Sequence, residues 1–305
     1  MAWRRRGRLF DAETMLPHHP QLRSHAANPL AVNLEGDLYR VFFSARNSAN
    51  RSSVGAVDID VVRRTVERVI TKPVIAHGPE GRFDADGISV GCLHKDATGA
   101  RYVLFMGWQA PNDGHWRGDI GRLRLGDDLS LTPDPAGPYI GSDTVDPISL
   151  SYPWVHRTVG GYLMWYGSTV TWDAGNGEML HVLREARSED GINWRRDGKT
   201  LPYFLGVAQA FSRPTVVQDA QGVLQMWYSF RGAPGKTYRI GHAVRRPGAE
   251  WTLQHLDGGL DVAHDGWDSE MVEYPFVFDH GGERLMLYNG NGFGRSGFGL
   301  AVWEE

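Results

Sequence analysis

Tyr39-Arg-Val-Phe-Phe-Ser44 is a short apolar run ending in a small polar residue. Four more follow: Tyr102-Val-Leu-Phe-Met-Gly107, Tyr162-Leu-Met-Trp-Tyr-Gly167, Leu224-Gln-Met-Trp-Tyr-Ser229 and Leu285-Met-Leu-Tyr-Asn-Gly290. Their first residues lie 63, 60, 62 and 61 positions apart. Apolar and aromatic runs of this length read as buried strands. A fixed period marks a repeat architecture in which each unit buries its neighbour's hydrophobic face. Five periods account for all 305 residues, so the expected organisation is one domain spanning 1–305.

Four repeats open on a proline about 14 or 15 residues ahead of the small residue: Asn28-Pro29, Tyr152-Pro153, Arg213-Pro214 and Tyr274-Pro275. Proline is tolerated at the first residue of a strand, so these mark strand starts. The second repeat has no such proline and is expected to open through Asp84-Ala-Asp86-Gly87. Turns at Gly36, Gly99, Gly160-Gly161, Gly222 and Gly281-Gly282 then lead into the apolar runs, as in hairpins. A third strand follows each run, exemplified by His181-Val-Leu-Arg-Glu-Ala-Arg187, and then an outer one such as Trp194-Arg-Arg-Asp-Gly198.

Four antiparallel strands per repeat make the blade of a β-propeller. The predicted fold is therefore all-β, a five-bladed β-propeller. The last repeat stops at Trp303-Glu-Glu305, where its outer strand should begin, while Trp3-Arg-Arg-Arg-Gly7 near the start matches Trp194-Arg-Arg-Asp-Gly198. The N-terminal strand is expected to complete the last blade and close the ring, which removes an exposed edge.

Composition excludes several classes. Thirty-eight Gly and 16 Pro suit short strands with tight turns rather than a helical protein. A net charge of −4 argues against a nucleic-acid partner held by phosphate contacts, and Arg4-Arg5-Arg6 reads as a solvated strand edge. No stretch approaches the length of a membrane span, and the basic start lacks an apolar signal region. With the single cysteine Cys92 this makes a cytoplasmic location the expectation, and no membrane partner. The twelve histidines lack ligand spacing, so neither a metal nor another cofactor is expected.

In a propeller the strand starts converge around one channel mouth. Residues there become candidates as a group: His25 and Asn28, Asp84 and Asp86, Tyr152, Arg213, and Asp268, Glu270 and Glu273. Glu273 precedes the strand-opening proline by two residues, where burial would raise its pKa into a general acid's range. Asp86, followed by Gly87, is the candidate base or transition-state stabiliser, and Glu270 the neighbour tuning Glu273. Two carboxylates facing one sugar are what glycosidic cleavage requires. Arg46 and Arg51, with Arg213, offer planar forks for an anionic substrate group, or else structural ion pairs. Trp116 and Trp172, beside Trp108, His115 and Phe293, offer flat walls for a sugar's apolar face. Asn289 borders the same mouth.

The five-fold scaffold, its Met-Trp-Tyr strands, the Ser212-Arg213-Pro214 opening and Ser188-Glu-Asp-Gly-Ile-Asn-Trp194 together resemble the five-bladed propeller glycoside hydrolases of families 43, 32 and 130. The resemblance implies a carbohydrate-active enzyme. Its members generally use an Asp in blade one, an Asp in blade two and a later Glu; Asp86 fits the second, Glu273 resembles the third in blade five, and Asn28 stands where the first would be. Phe43-Ser-Ala-Arg46-Asn47, Glu270-Met-Val-Glu273-Tyr-Pro275 and Tyr288-Asn-Gly-Asn-Gly-Phe-Gly294 resemble hydrolase-like proteins encoded with bacterial surface-polysaccharide or natural-product biosynthesis genes. The implied partner is a small carbohydrate or glycoconjugate. Two alternatives stand beside glycoside hydrolysis: a noncatalytic sugar-binding propeller, and a biosynthetic transferase, lyase or cyclase on the same scaffold.

Overall fold

The computed structural model describes residues 2–112, 114–135 and 137–304. The chain opens with β1 (Ala2–Phe10) and then runs through four antiparallel sets of four strands. The first set is β2 (Ser24–Glu35), β3 (Leu38–Arg46), β4 (Ser52–Asp60) and β5 (Thr65–Val69); the second is β6 (Gly87–Lys95), β7 (Arg101–Gln109), β8 (Arg117–Leu125) and β9 (Leu131–Pro133). The third is β10 (Leu150–Thr158), β11 (Gly161–Thr171), β12 (Leu180–Ser188) and β13 (Arg195–Thr200). The fourth is β14 (Ala210–Gln218), β15 (Leu224–Arg231), β16 (Arg239–Arg245) and β17 (Thr252–Leu260). The chain ends with β18 (Glu273–His280), β19 (Glu283–Asn289) and β20 (Phe298–Glu304).

Within each set neighbouring strands pair in sequence order. The last three strands are completed by β1, which pairs with β20 from Ala2↔Glu304 to Phe10↔Phe298. Single parallel bridges, Ser52↔Gly87 and His181↔Ala210, link the first set to the second and the third to the fourth. The leading strands touch in the order β2, β6, β10, β14, β18, and β18 returns to touch β2. The apolar runs quoted above are the second strands, and Phe42, Leu104, Trp165, Trp227 and Leu287 on them are fully buried.

The Trp-Arg-Arg match has a physical counterpart. Arg196 on β13 bonds Asp146, which also accepts from the Tyr166 hydroxyl at 2.9 Å. Arg5 on β1 bonds Asp268 at 2.8 Å, which also accepts from the Tyr288 hydroxyl at 2.9 Å. The same Arg, Asp and Tyr thus tie each outer strand to its set, and Gly7 and Gly198 both take positive φ, 96° and 76°, four residues after the tryptophan.

Every leading strand carries a β-bulge near its start, between Ala27/Leu30, Val90/Cys92, Ser151/Trp154, Ser212/Thr215 and Glu273/Phe276. A bulge bends the strand and re-aims its side chains. Asn28, Tyr152, Arg213 and Tyr274 stand in these bulges at φ of 57°, 31°, 41° and 54°, unusual for residues other than glycine. Each is followed by proline, which has no N–H to leave unpaired in an interrupted ladder. The pairings Ala27↔Ser44, Ile88↔Gly107, Ser151↔Gly167, Ser212↔Ser229 and Glu273↔Asn289 fix the equivalences.

Two expectations shift as a result. Asn289, not Gly290, is the fifth counterpart of Ser44. The second set's counterpart of the residue-proline pair is Ser89-Val90, not Asp84-Gly87; no proline is needed because the Val90 N–H is bonded by Ser44 Oγ at 3.3 Å.

No helix among the described residues is long and apolar enough to cross a membrane. Among them no cluster of three or more His, Cys, Asp or Glu could hold a metal ion.

Candidate active site

The bulges open into a cavity of about 370 Å³ to which all five sets contribute. Asn28, Ser89, Tyr152 and Tyr274, four of the five equivalent bulge-region residues, line it; the fifth, Arg213, lies beneath. Arg46, Arg231, His181 and Tyr238 add polar walls, while Met106, Trp108, Trp116, Phe211 and Phe293 add apolar ones. Trp172 stands behind the wall, its ring 5.1 Å from Trp116 and edge-on to it, and stacked on His115 at 4.4 Å.

Glu273 is wholly enclosed, and among the described residues neither carboxyl oxygen has a hydrogen-bond partner of good geometry, the Tyr274 side chain being the polar group beside it. Burial pushes its pKa well above the ordinary 4.5, against the pull of Arg46, Arg231 and the Tyr274 side chain. It is coupled to the pocket's own side chains, since its charge raises the Tyr274, Tyr238 and Tyr152 hydroxyls beyond the effect of their burial. Asn28 is also buried and lines the cavity, and its Oδ1 has no partner among the described residues. His25, half-buried at φ 63°, is lowered to about 3 by burial and by Arg46 and Arg295, and so stays neutral.

Asp86 is half-buried beside the cavity, its backbone bonded to Ser52 and Trp108. Its carboxylate lies 3.2 Å from Arg51 and accepts from the Ala110 N–H at 2.8 Å.

Four expected site residues have structural work instead, and a fifth, Glu270, lies away from the cavity. Arg213 is buried and donates from Nη2 to the carbonyls of Pro29 at 2.7 Å and Gly91 at 3.2 Å, and from Nη1 to that of Tyr274 at 3.4 Å. It joins four leading strands rather than facing a substrate, and burial lowers it to about 9. Asp84 is buried in a two-point pair with Arg82. Asp268 holds Arg5 and Tyr288 as described. Asn289 accepts from the Asn28 N–H and donates to the carbonyls of Ala26 and Gly297, each at 2.8 Å, so it fixes Asn28 without reaching the cavity. Glu270 is exposed and lines a separate hollow with Arg8, Glu13 and Arg295; it has no part in the Glu273 shift.

The sequence reading missed Arg231, Tyr238 and His181. Arg231 had a signal, for it follows Ser229 by two positions as Arg46 follows Ser44. It is held by Glu178 at 2.9 Å and lies 4.9 Å over the Tyr238 ring. His181 sits between Ser151 Oγ at 2.7 Å and Thr169 Oγ1 at 2.8 Å, and burial lowers it to about 3.

No protein-family model matches the chain. It is 41% identical over 307 residues to the "Uncharacterized protein Rv1502" of Mycobacterium tuberculosis (strain ATCC 25618 / H37Rv), covering 100% of both chains. The chain belongs to the family of this mycobacterial protein. The same identity and coverage relate it to "Uncharacterized protein MT1551" of strain CDC 1551 / Oshkosh.

Among solved structures, this member of the family matches one described as "The GH130 family of mannoside phosphorylases contains glycoside hydrolases that target beta-1,2 mannosidic linkages in Candida mannan", with a TM-score of 0.71 and 15% identity, over 99% of this chain and 94% of that one. It matches an endo-arabinase from Bacteroides thetaiotaomicron VPI-5482 with a TM-score of 0.65 and 11% identity, over 98% of each chain. The chain thus shares its all-β fold with propeller glycoside hydrolases. At these identities the likeness is one of fold.

Proposed function

We propose that the protein is a carbohydrate-active enzyme of glycosidase type, a single five-bladed propeller closed by β1, with Glu273 as general acid. The cycle of contacts among leading strands and the fold shared with glycoside hydrolases support the architecture. The observation that carries the chemistry is the enclosed, unpartnered Glu273 carboxyl beside a sugar-sized cavity walled by Trp108 and Trp116. A carboxyl kept neutral by burial can hand its proton to a leaving glycosidic oxygen, and Arg46 and Arg231 then stabilise the carboxylate left behind. Asp86 is the second carboxylate of this reading, acting once substrate displaces Arg51.

A noncatalytic sugar-binding protein is the second reading. It is favoured by one observation: among the described residues no carboxylate lines the cavity wall, and Asp86 is already tied to Arg51 and Ala110.

Glu273→Gln separates the two. Hydrolysis of a panel of aryl glycosides should fall by about a hundredfold or more while calorimetric binding of the same sugars persists. Unchanged turnover in a folded variant removes Glu273 as the acid. Sugar binding without turnover in the wild type supports the second reading.

A further inference from the structure

The charge of the cavity wall is lopsided. Arg46 lines it, and among the described residues its side chain's one hydrogen bond runs from Nη1 to Asn50 Oδ1 at 2.9 Å. Among the described residues it forms no ion pair, unlike its neighbours Arg40 and Arg51. The titratable groups it acts on do not offset it: His25 is held neutral, and burial pushes Glu273 toward its neutral form. Arg231 is committed to Glu178, and the buried Arg213 below bonds only backbone carbonyls. Among the described residues Arg46 is therefore the lining cation without an ion-pair partner. Asn28 adds an acceptor, the buried and unpartnered Oδ1, held in place because Asn289 grips its backbone N–H.

An unpaired guanidinium and an orphaned amide oxygen in one cavity call for a ligand with an oxyanion and a nearby hydroxyl. We propose that the cavity takes an acidic sugar, a glycoside carrying a carboxylate or a phosphate ester, with the oxyanion on Arg46 and a ring hydroxyl donated to Asn28 Oδ1. The inference rests on reading the cavity as a carbohydrate site. A free inorganic anion satisfies Arg46 but leaves the apolar walls at Trp108, Trp116 and Phe293 uncovered, whereas a sugar's C–H face covers them. A site built around such groups rejects a neutral analogue, which would strip water from the guanidinium and return no ion pair.

Calorimetry on the full chain tests this with matched probes: methyl glucoside against methyl glucuronide, methyl galactoside against methyl galacturonide, glucose against glucose 6-phosphate, and inorganic phosphate alone. In at least one pair the acidic member should bind about tenfold tighter or more. Arg46→Gln should abolish that preference, Arg46→Lys should keep part of it, and Asn28→Asp should cancel it by placing a carboxylate in the same wall. Circular dichroism shows which variants fold, and the three together keep the test open if one does not.

Four results overturn the proposal: no acidic sugar binds, no pair shows a preference, the preference survives in folded Arg46→Gln and Asn28→Asp, or inorganic phosphate binds as tightly as every acidic sugar. Acid-selective binding without turnover leaves the anion site standing and removes the enzymatic reading. Turnover of neutral glycosides without acid preference does the reverse.

Discussion

At the scale of single residues, two groups pull the protein's pH response in opposite directions. Glu273 has its folded pKa raised by burial, so its native state holds a proton more tightly than the unfolded chain does. Its contribution to stability is complete below the ordinary value of 4.5 and is lost as pH rises toward the raised value. His181 is the converse case. With a folded value lowered to about 3 from 6.5, its contribution is complete above 6.5 and is lost as pH falls toward 3. The expected stability curve is therefore a dome. Glu273→Gln should flatten its alkaline side, melting higher than the wild type at pH 8 and close to it at pH 4.5. Melting series that show the same alkaline slope in both proteins would mean that the carboxyl is not held neutral by its surroundings.

At the scale of the element, the bulged leading strand decides what lines the cavity. Much of it was legible: the prolines locate four of the five bulges, and the apolar runs give the second strands. What was illegible was register. A bulge adds one residue on one strand only, so counting from a proline does not say which side chain turns inward and which is turned into the protein. Arg213 and Tyr152 hold equivalent positions, yet Tyr152 lines the cavity while Arg213 is drawn beneath it by three carbonyls that no spacing rule announces. In the second set a serine from the neighbouring set, Ser44, replaces the proline's role, a contact across sets that sequence cannot display. Arg213→Met should then lose about 3 kcal/mol, because the hydrophobic side chain fills the space but leaves carbonyls of Pro29, Gly91 and Tyr274 unpaired. Urea unfolding measures it. A neutral or stabilising result would show that removing the buried charge outweighs the orphaned carbonyls.

At the scale of the whole molecule, the first strand belongs to the last set, and its hold there is both apolar and polar. Trp3 packs edge-on against Trp227 at 5.4 Å and Trp303 at 5.0 Å, so the N-terminal strand reaches into the core shared by the fourth and last sets. Arg5 bonds Asp268, and its Nη2 also meets the Asp261 carbonyl. The β1–β20 pairing, from Ala2↔Glu304 to Phe10↔Phe298, is a contact of very high sequence separation, which forms late in folding. Trp3→Ala should destabilise by about 3–5 kcal/mol through loss of a large buried side chain. Asp268→Asn should cost less, about 1–3 kcal/mol, since the amide still accepts from Tyr288 but loses the charge facing Arg5. The proposed closure by β1 predicts more than these two losses: hydrogen exchange in either variant should rise first at the β1–β20 ladder, while the third set, tied by Arg196 and Asp146, stays protected. Uniform exchange across both sets would show that β1 decorates the structure rather than closing it.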